Sequence, residues 1–241
     1  MCRRAALDGA RLRPRSRPYP PVTNETLRPC LTPPIALDDE ASSVRRSARL
    51  ASKNPGKLRE LRRALSGWEI EPLEVEEYPP ETGATYYENA RSKAEFGHSL
   101  EPSAWVLGED SGLEVDGLGG RPGVESARFA RGEHVGRLLA ELDGVEDRRA
   151  RYVCELVAVS PEGEEQRGTG VLKGRIVDEP RGTGGFGFDP IFVPEDEEQT
   201  VAELGDEWKA ANSHRARAAQ ALTRALESLP DPPRGPGRST N

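Results

Sequence analysis

The sequence predicts an α/β domain, because helical and strand periodicities alternate along it. Three observations carry this: a leucine stripe (Leu58, Leu61, Leu65) that follows a short strand, apolar runs at 105–107 and 152–159, and a closing helical stripe at Ala219, Leu222, Leu226 and Leu229. Taken in order, a short strand ends near Ala51. Pro55 then occupies the first turn of a helix, where its missing N–H would be unpaired anyway. A second helix is expected over 85–97, with Tyr87, Ala90 and Ala94 on one face. Residues 105–107 form a short buried strand that runs into Glu109-Asp110-Ser111-Gly112. Leu113 and Val115 alternate with Glu114 and Asp116, which predicts a second, half-exposed strand. The stretch 117–123 (GLGGRPG) is a turn, and Leu138, Leu139 and Leu142 mark a short helix. Strands over 152–159 and 168–177 are joined by the polar turn 161–165. A glycine-rich loop at 182–189 precedes the apolar run 191–193, and the last helix begins near Ser213, a good N-cap.

Composition narrows the class. The chain has 241 residues, 31% charged and 5% aromatic, so the core must rest on Leu, Val, Ile and Ala. A formal net charge of −7 gives no general attraction to nucleic acid or anionic lipid, and no basic stripe with interleaved aromatics appears. Cys2, Cys30 and Cys154 are far apart and odd in number, which argues against a disulfide framework or zinc site and points to a reducing cytoplasm. No apolar run approaches the roughly 20 residues that span a bilayer. Residues 1–47 are rich in Pro and Arg, lack periodicity and are expected to be disordered. They also lack the apolar stretch of a secretory signal. An alternative hypothesis places the true initiator of a GC-rich gene at Val44; peptides from 1–43 in the native protein would refute it. The tail 230–241 is also expected to be disordered, which leaves 48–229 as the domain.

Four segments carry candidate chemistry. Ser52-Lys53-Asn54-Pro55-Gly56-Lys57 lies between a strand and a helix, where free backbone N–H groups, the helix dipole and two lysines make an anion cradle. It is not a Walker A loop, since the first glycine is absent and Leu58 follows the lysine. Glu109-Asp110-Ser111 follows an apolar strand, and paired carboxylates suit Mg²⁺ and proton abstraction from water. The plainer reading is a turn. Glu81 and Glu88 flank the start of the second helix and offer a further ligand, or only dipole partners. The loop 182–189 contains G-x-G-x-x-G, but Asp189-Pro190 and an apolar run follow it where a dinucleotide fold needs a helix. Phe186 and Phe188 on that loop are suited to stacking on a base, or to the core. Lys209 precedes Ser213-His214-Arg215, whose cationic residues sit at a helix N-terminus that disfavours them and so invite a functional account.

Together these segments resemble the non-canonical purine NTP pyrophosphatases, the XTP/dITP diphosphatase or inosine triphosphatase family. The landmarks run in order over about 48–229: SKNPGK at 52–57, ETG at 81–83, ENARSKA at 88–94, EDSGLEVDGLGGRPGVESARFA at 109–130, GTGGFGFDPIF at 182–192, and AEL, Lys209 and SHR within 202–215. The resemblance implies an elongated mixed sheet flanked by helices, two lobes around a central groove, and usually a homodimer. It implies Mg²⁺-dependent cleavage of ITP, dITP and XTP between the α and β phosphates. Ser52 to Lys57 would hold the triphosphate, Glu81 and Asp110 the metal, and Asp110 would act as general base. Ser111, Phe186, Gly187, Phe188, Asp189, Lys209, His214 and Arg215 would line the nucleoside pocket, with Phe186 as the stacking ring.

Three departures bear on structure. Glu109 stands where many bacterial members have Asp. The first strand reads RSARLA where the family is strongly apolar, so its outward face is expected to be exposed or poorly paired. The segment after Phe129 is short, which bears on lobe geometry and the dimer contact. The rival readings are a nucleotide-binding module without turnover, an inactive structural subunit, and a hydrolase of other modified nucleotides.

Overall fold

The structure, a computed structural model, describes residues 46–129 and 132–228. The expectations for residues 1–45, for the tail and for Leu229 lie outside the described residues. Seven strands form one open mixed sheet in the order β2-β1-β3-β5-β6-β7, with β4 paired to β3. β1 (Arg46–Leu50) lies between β2 (Trp68–Pro72) and β3 (Trp105–Val115), parallel to both. From β3 the sheet turns antiparallel through β5 (Arg149–Val159), β6 (Glu165–Ile176) and β7 (Phe192–Pro194), with the short β4 (Arg121–Pro122) also antiparallel to β3.

Of the two expected outcomes for the polar first strand, poor pairing is not found, because a parallel neighbour on each side takes its backbone groups. Its exposure does follow the sequence: Arg46 and Ser47 face solvent, while Ala48 and Leu50 are buried. The strand also begins two residues before the expected domain boundary. β2 was not anticipated, because WEIEP is short and contains a proline; Pro72 is tolerated on the edge strand.

α2 (Tyr86–Leu100) covers one face of β3 and β5. Thr85 caps it, with Glu88 completing a capping box. Its approach is set by Gly108, where any Cβ would collide with the Ala90 carbonyl oxygen. α1 (Pro55–Ala64) and α5 (His214–Glu227) cover the opposite face. Gly170 lets the α5 N-terminus touch β6, since a Cβ there would strike the His214 carbonyl oxygen. α3 (His134–Glu141) and α4 (Val201–Asn212) complete the set, and α4 is broken at Gly205, whose φ of 80° favours glycine.

On the α1/α5 face the long strands join two hydrophobic cores. The first holds Leu50, Leu61, Leu107, Leu156 and Leu222, and the second Leu113, Leu138, Tyr152, Phe188 and Phe192. Each fully buried leucine contributes about 1.5–3 kcal/mol. Between Leu107 and Leu113 the same face of β3 presents Glu109 and Ser111. The expected groove is this polar belt between two apolar cores.

Candidate active site

Residues 109–112 form no turn. β3 pairs with β5 without interruption from Val106↔Val159 to Val115↔Ala150, so the two expected strands are one. The acidic pair stays in the sheet because cations, not solvent, satisfy it. Strand alternation sends Glu109 toward α1 and α5 and Asp110 toward α2.

Glu109 is fully buried. Lys57 Nζ lies 2.6 Å from its Oε2, and Arg215 Nε donates to its Oε1 at 3.0 Å. Burial alone would raise its pKa, but Lys57 and Arg215 hold it well below the usual carboxylate range. Arg215 also donates to Ser111 Oγ (2.7 Å) and pairs with Glu60 (2.6 Å). The other Glu60 oxygen pairs with Lys209 (2.5 Å), which reaches Asp189 (2.7 Å). Charges thus alternate from Lys57 through Glu109, Arg215, Glu60 and Lys209 to Asp189, three of each sign. Such a buried set is tolerable because each charge has an opposite neighbour.

On the α2 side, Asn89 Nδ2 donates to Asp110 Oδ2 at 3.0 Å. Lys93 Nζ lies 3.5 Å from Asp110 Oδ1, 2.5 Å from Glu81 Oε1, and donates to the Glu109 carbonyl at 2.8 Å. Burial, with Glu109 and Glu81 nearby, raises the Asp110 pKa despite Lys93 and Lys57. Lys57 stands 4.0 Å from Asp110 as well. It can serve both faces because β1 stops opposite Leu107, leaving the next residues of β3 without a strand on that edge.

A cleft of about 430 Å³ opens on the α1/α5 side, lined by Gly56, Lys57, Ser111, Phe186, Lys209 and His214, among others. The Phe186 ring lies 4.8 Å from Lys209 Nζ and 5.4 Å from the Arg215 guanidinium carbon. Asp189 shapes the loop by accepting from Phe186 N–H (2.8 Å) and the Tyr152 hydroxyl (3.3 Å). Gly187 turns the chain with φ 64°.

His214 is buried and stacks on Tyr152, with ring centroids 4.6 Å apart. Burial, then the adjacent Arg215, push its pKa well below the ordinary value. This answers the helix-terminus misfit, since the imidazole is neutral and Arg215 is paired. The folded state resists a proton that the unfolded state accepts near pH 6.5. Stability is therefore retained above that pH and falls as pH drops below it, by up to about 1.4 kcal/mol per pH unit. Denaturant melts between pH 7 and pH 5 are expected to show this slope, and His214→Asn to flatten it.

Several expected roles change. The amides of Gly56 and Lys57 are not free, because the Asn54 side chain caps both (2.9 and 3.3 Å). Lys53 points elsewhere: its ammonium donates to the Glu76 carbonyl and lies over Tyr78. Phe188 packs with Phe129 in the second core, so it anchors the loop more than it meets a ligand. Ser52 accepts from Asn54 N–H and shapes the turn. Glu60, Asn89, Lys93 and Tyr152 were not singled out. A signal existed for three of them: Glu60 is one helical turn from Lys57, and Asn89 and Lys93 interrupt the small-residue face of α2 at i, i+4 spacing.

A base-sized cleft that ends at carboxylates and lysines suited to a polyphosphate defines a nucleotide-handling α/β protein. The chain belongs to the Ham1 family, whose sequence profile matches residues 48–225. It is 48% identical over 189 residues to a dITP/XTP pyrophosphatase of Symbiobacterium thermophilum, covering 75% of this chain and 93% of that one. Identity to a dITP/XTP pyrophosphatase of Gloeobacter violaceus is 45% over 177 residues, covering 72% and 90%. The solved structure of the Staphylococcus aureus Ham1 protein superposes with a TM-score of 0.66 at 35% identity, covering 76% of this chain and 98% of that one.

Proposed function

We propose that this chain hydrolyses non-canonical purine nucleoside triphosphates, such as dITP, XTP and ITP, to the monophosphate and pyrophosphate. The observation that carries this is the position of Lys57, which touches Glu109 at the end of the cleft and Asp110 beyond it. A nucleoside in the cleft directs its phosphates toward that junction. The activity named for the Ham1 relatives supports the same reading.

Water attacks the α-phosphorus, the bond to the bridging oxygen breaks, and pyrophosphate leaves with the charge. Asp110, a carboxylate beside Lys57 and Lys93, takes the proton from water. Lys57 and Lys93 face the developing charge, which they stabilise more in the transition state than in the ground state. Glu81 and Asp110 fit a divalent cation: they are two carboxylates that converge on one ammonium, Lys93 Nζ, at 2.5 and 3.5 Å, where an ion of like charge could be held. Mg²⁺ held there would neutralise phosphate charge and lower the pKa of bound water.

In the cleft, Phe186 offers a stacking face. His214, kept neutral, carries one donor and one acceptor, and its Nδ1 has no partner among the described residues. Donors set against a 6-keto oxygen would be left unpaired by adenine, at about 1–3 kcal/mol each. The protein is further proposed to be a cytoplasmic homodimer. The scattered cysteines support the first term and the family resemblance the second, and among the described residues no helix is long and apolar enough to cross a membrane.

Pyrophosphate release with Mg²⁺ from ITP, XTP, dITP, ATP, GTP and a set of modified pyrimidine triphosphates tests the proposal. Fast release from the inosine and xanthosine nucleotides and little from ATP or GTP is expected. Binding of ITP with no turnover on any of them would replace it with the binding-module reading, and turnover confined to modified pyrimidine triphosphates with a different hydrolase.

A further inference from the structure

Asn89 is 2% exposed, one helical turn before Lys93 on the buried face of α2. Its Nδ2 donates to Asp110 Oδ2 at 3.0 Å, and its Oδ1 accepts from Gly83 N–H at 2.8 Å. Only a short carboxamide meets both demands. Aspartate would set two carboxylates against each other, and an apolar residue would leave a buried acceptor and a loop amide unpaired.

The geometry has two consequences. First, the two Asp110 oxygens are made unequal. Oδ2 is held by a neutral donor, and Oδ1 faces Lys93 (3.5 Å) and Lys57 (4.0 Å). Second, the loop that carries Glu81 is seated on the helix. A Cβ at Gly83 would lie 2.7 Å from Asn89 Oδ1, so that backbone rests directly on the amide. Glu88 holds the next two amides, at Ala84 (2.6 Å) and Thr85 (3.1 Å). Asn89 thus joins the backbone of the Glu81 loop to Asp110, beside Lys93, which bridges the two carboxylates themselves.

We infer that Asn89 is a positioning residue for the hydrolytic step, one that fixes the orientation of the Asp110 carboxylate and sets the separation of Glu81 from Asp110. This rests on the roles proposed above for Asp110 and Glu81.

The test compares Asn89→Ala and Asn89→Asp in three measurements. These are steady-state turnover of dITP, Mn²⁺ binding without nucleotide followed by electron paramagnetic resonance, and amide exchange of the metal-free protein. Asn89→Ala is expected to lower kcat by about 10–100-fold with KM little changed, to weaken Mn²⁺ binding by about 10-fold, and to speed exchange at Gly83. Asn89→Asp keeps the acceptor, so exchange at Gly83 stays slow while kcat falls at least as far. That split separates positioning from general loss of structure, which would speed exchange throughout α2. If Asn89→Ala does not fold, Asn89→Asp carries the test alone. Wild-type kcat in either variant overturns the inference. Turnover that survives Asp110→Asn overturns the site assignment beneath it, whatever Asn89 does.

Discussion

Asp110→Asn is expected to lower kcat for dITP and XTP by about 10²–10⁴-fold, the usual contribution of a general base. The substitution keeps size and polarity, so Asn89 can still donate to the residual oxygen. What is lost is the negative charge between Lys57 and Lys93 and the capacity to accept a proton from water. With Mg²⁺ saturating, KM should change less than kcat, because Glu81 remains to hold the metal and the nucleoside cleft lies on the other face of β3. Pyrophosphate release under single-turnover conditions measures the chemical step directly. A variant with the wild-type rate would remove Asp110 from the mechanism while leaving the enzyme class intact.

Glu109→Gln is expected to act on folding. Glu109 is fully buried between Lys57 and Arg215, whose side chains are themselves 11% and 4% exposed. Removing the charge leaves two cations with less than their compensation in a dry interior. Breaking a buried pair in this way costs about 3–5 kcal/mol. Lys57 has partial recourse to Asp110, and Arg215 to Glu60, which places the expected loss toward the lower end. Glu109→Asp, which keeps the charge, should cost much less. An exposed pair gives the contrast: Asp147→Asn, which leaves Arg149 at the surface with Asp116 as its remaining partner, should be close to neutral. Urea melts of the three variants check this ordering, and a Glu109→Gln protein as stable as wild type would show that the buried charge on Glu109 contributes little to folding.

Much of the candidate site was legible because the cluster draws on few residue types in short runs. Lys57, Asp110, His214 and Arg215 were marked by an ionisable side chain expected at a strand end or a helix start, and Lys209 by its nearness to the last two. The structure gathers Lys57, Lys209, His214 and Arg215 at one cleft and sets Asp110 just beyond it. Glu60, Asn89 and Lys93 escaped because their own segments read as ordinary amphipathic helix, and their importance lies in what faces them from β3 and α5. Lys53 misled for the same reason, since a lysine in a basic loop carries no sign of which way it points.

The sequence by itself determined the α/β class, the helix starts at Pro55, Thr85 and Ser213, the apolar stripes and the residue types of the site. These depend on neighbours within a few positions, through caps, periodicity and backbone restriction. Tertiary structure alone decided that 105–115 is one unbroken strand, that the polar first strand is paired on both sides, and that Glu109 and Asp110 serve opposite faces of the sheet. Buried carboxylates of this kind are held ionised by cations from distant segments, and here Lys57 and Arg215 reach Glu109 and Lys93 reaches Asp110, from three different helices.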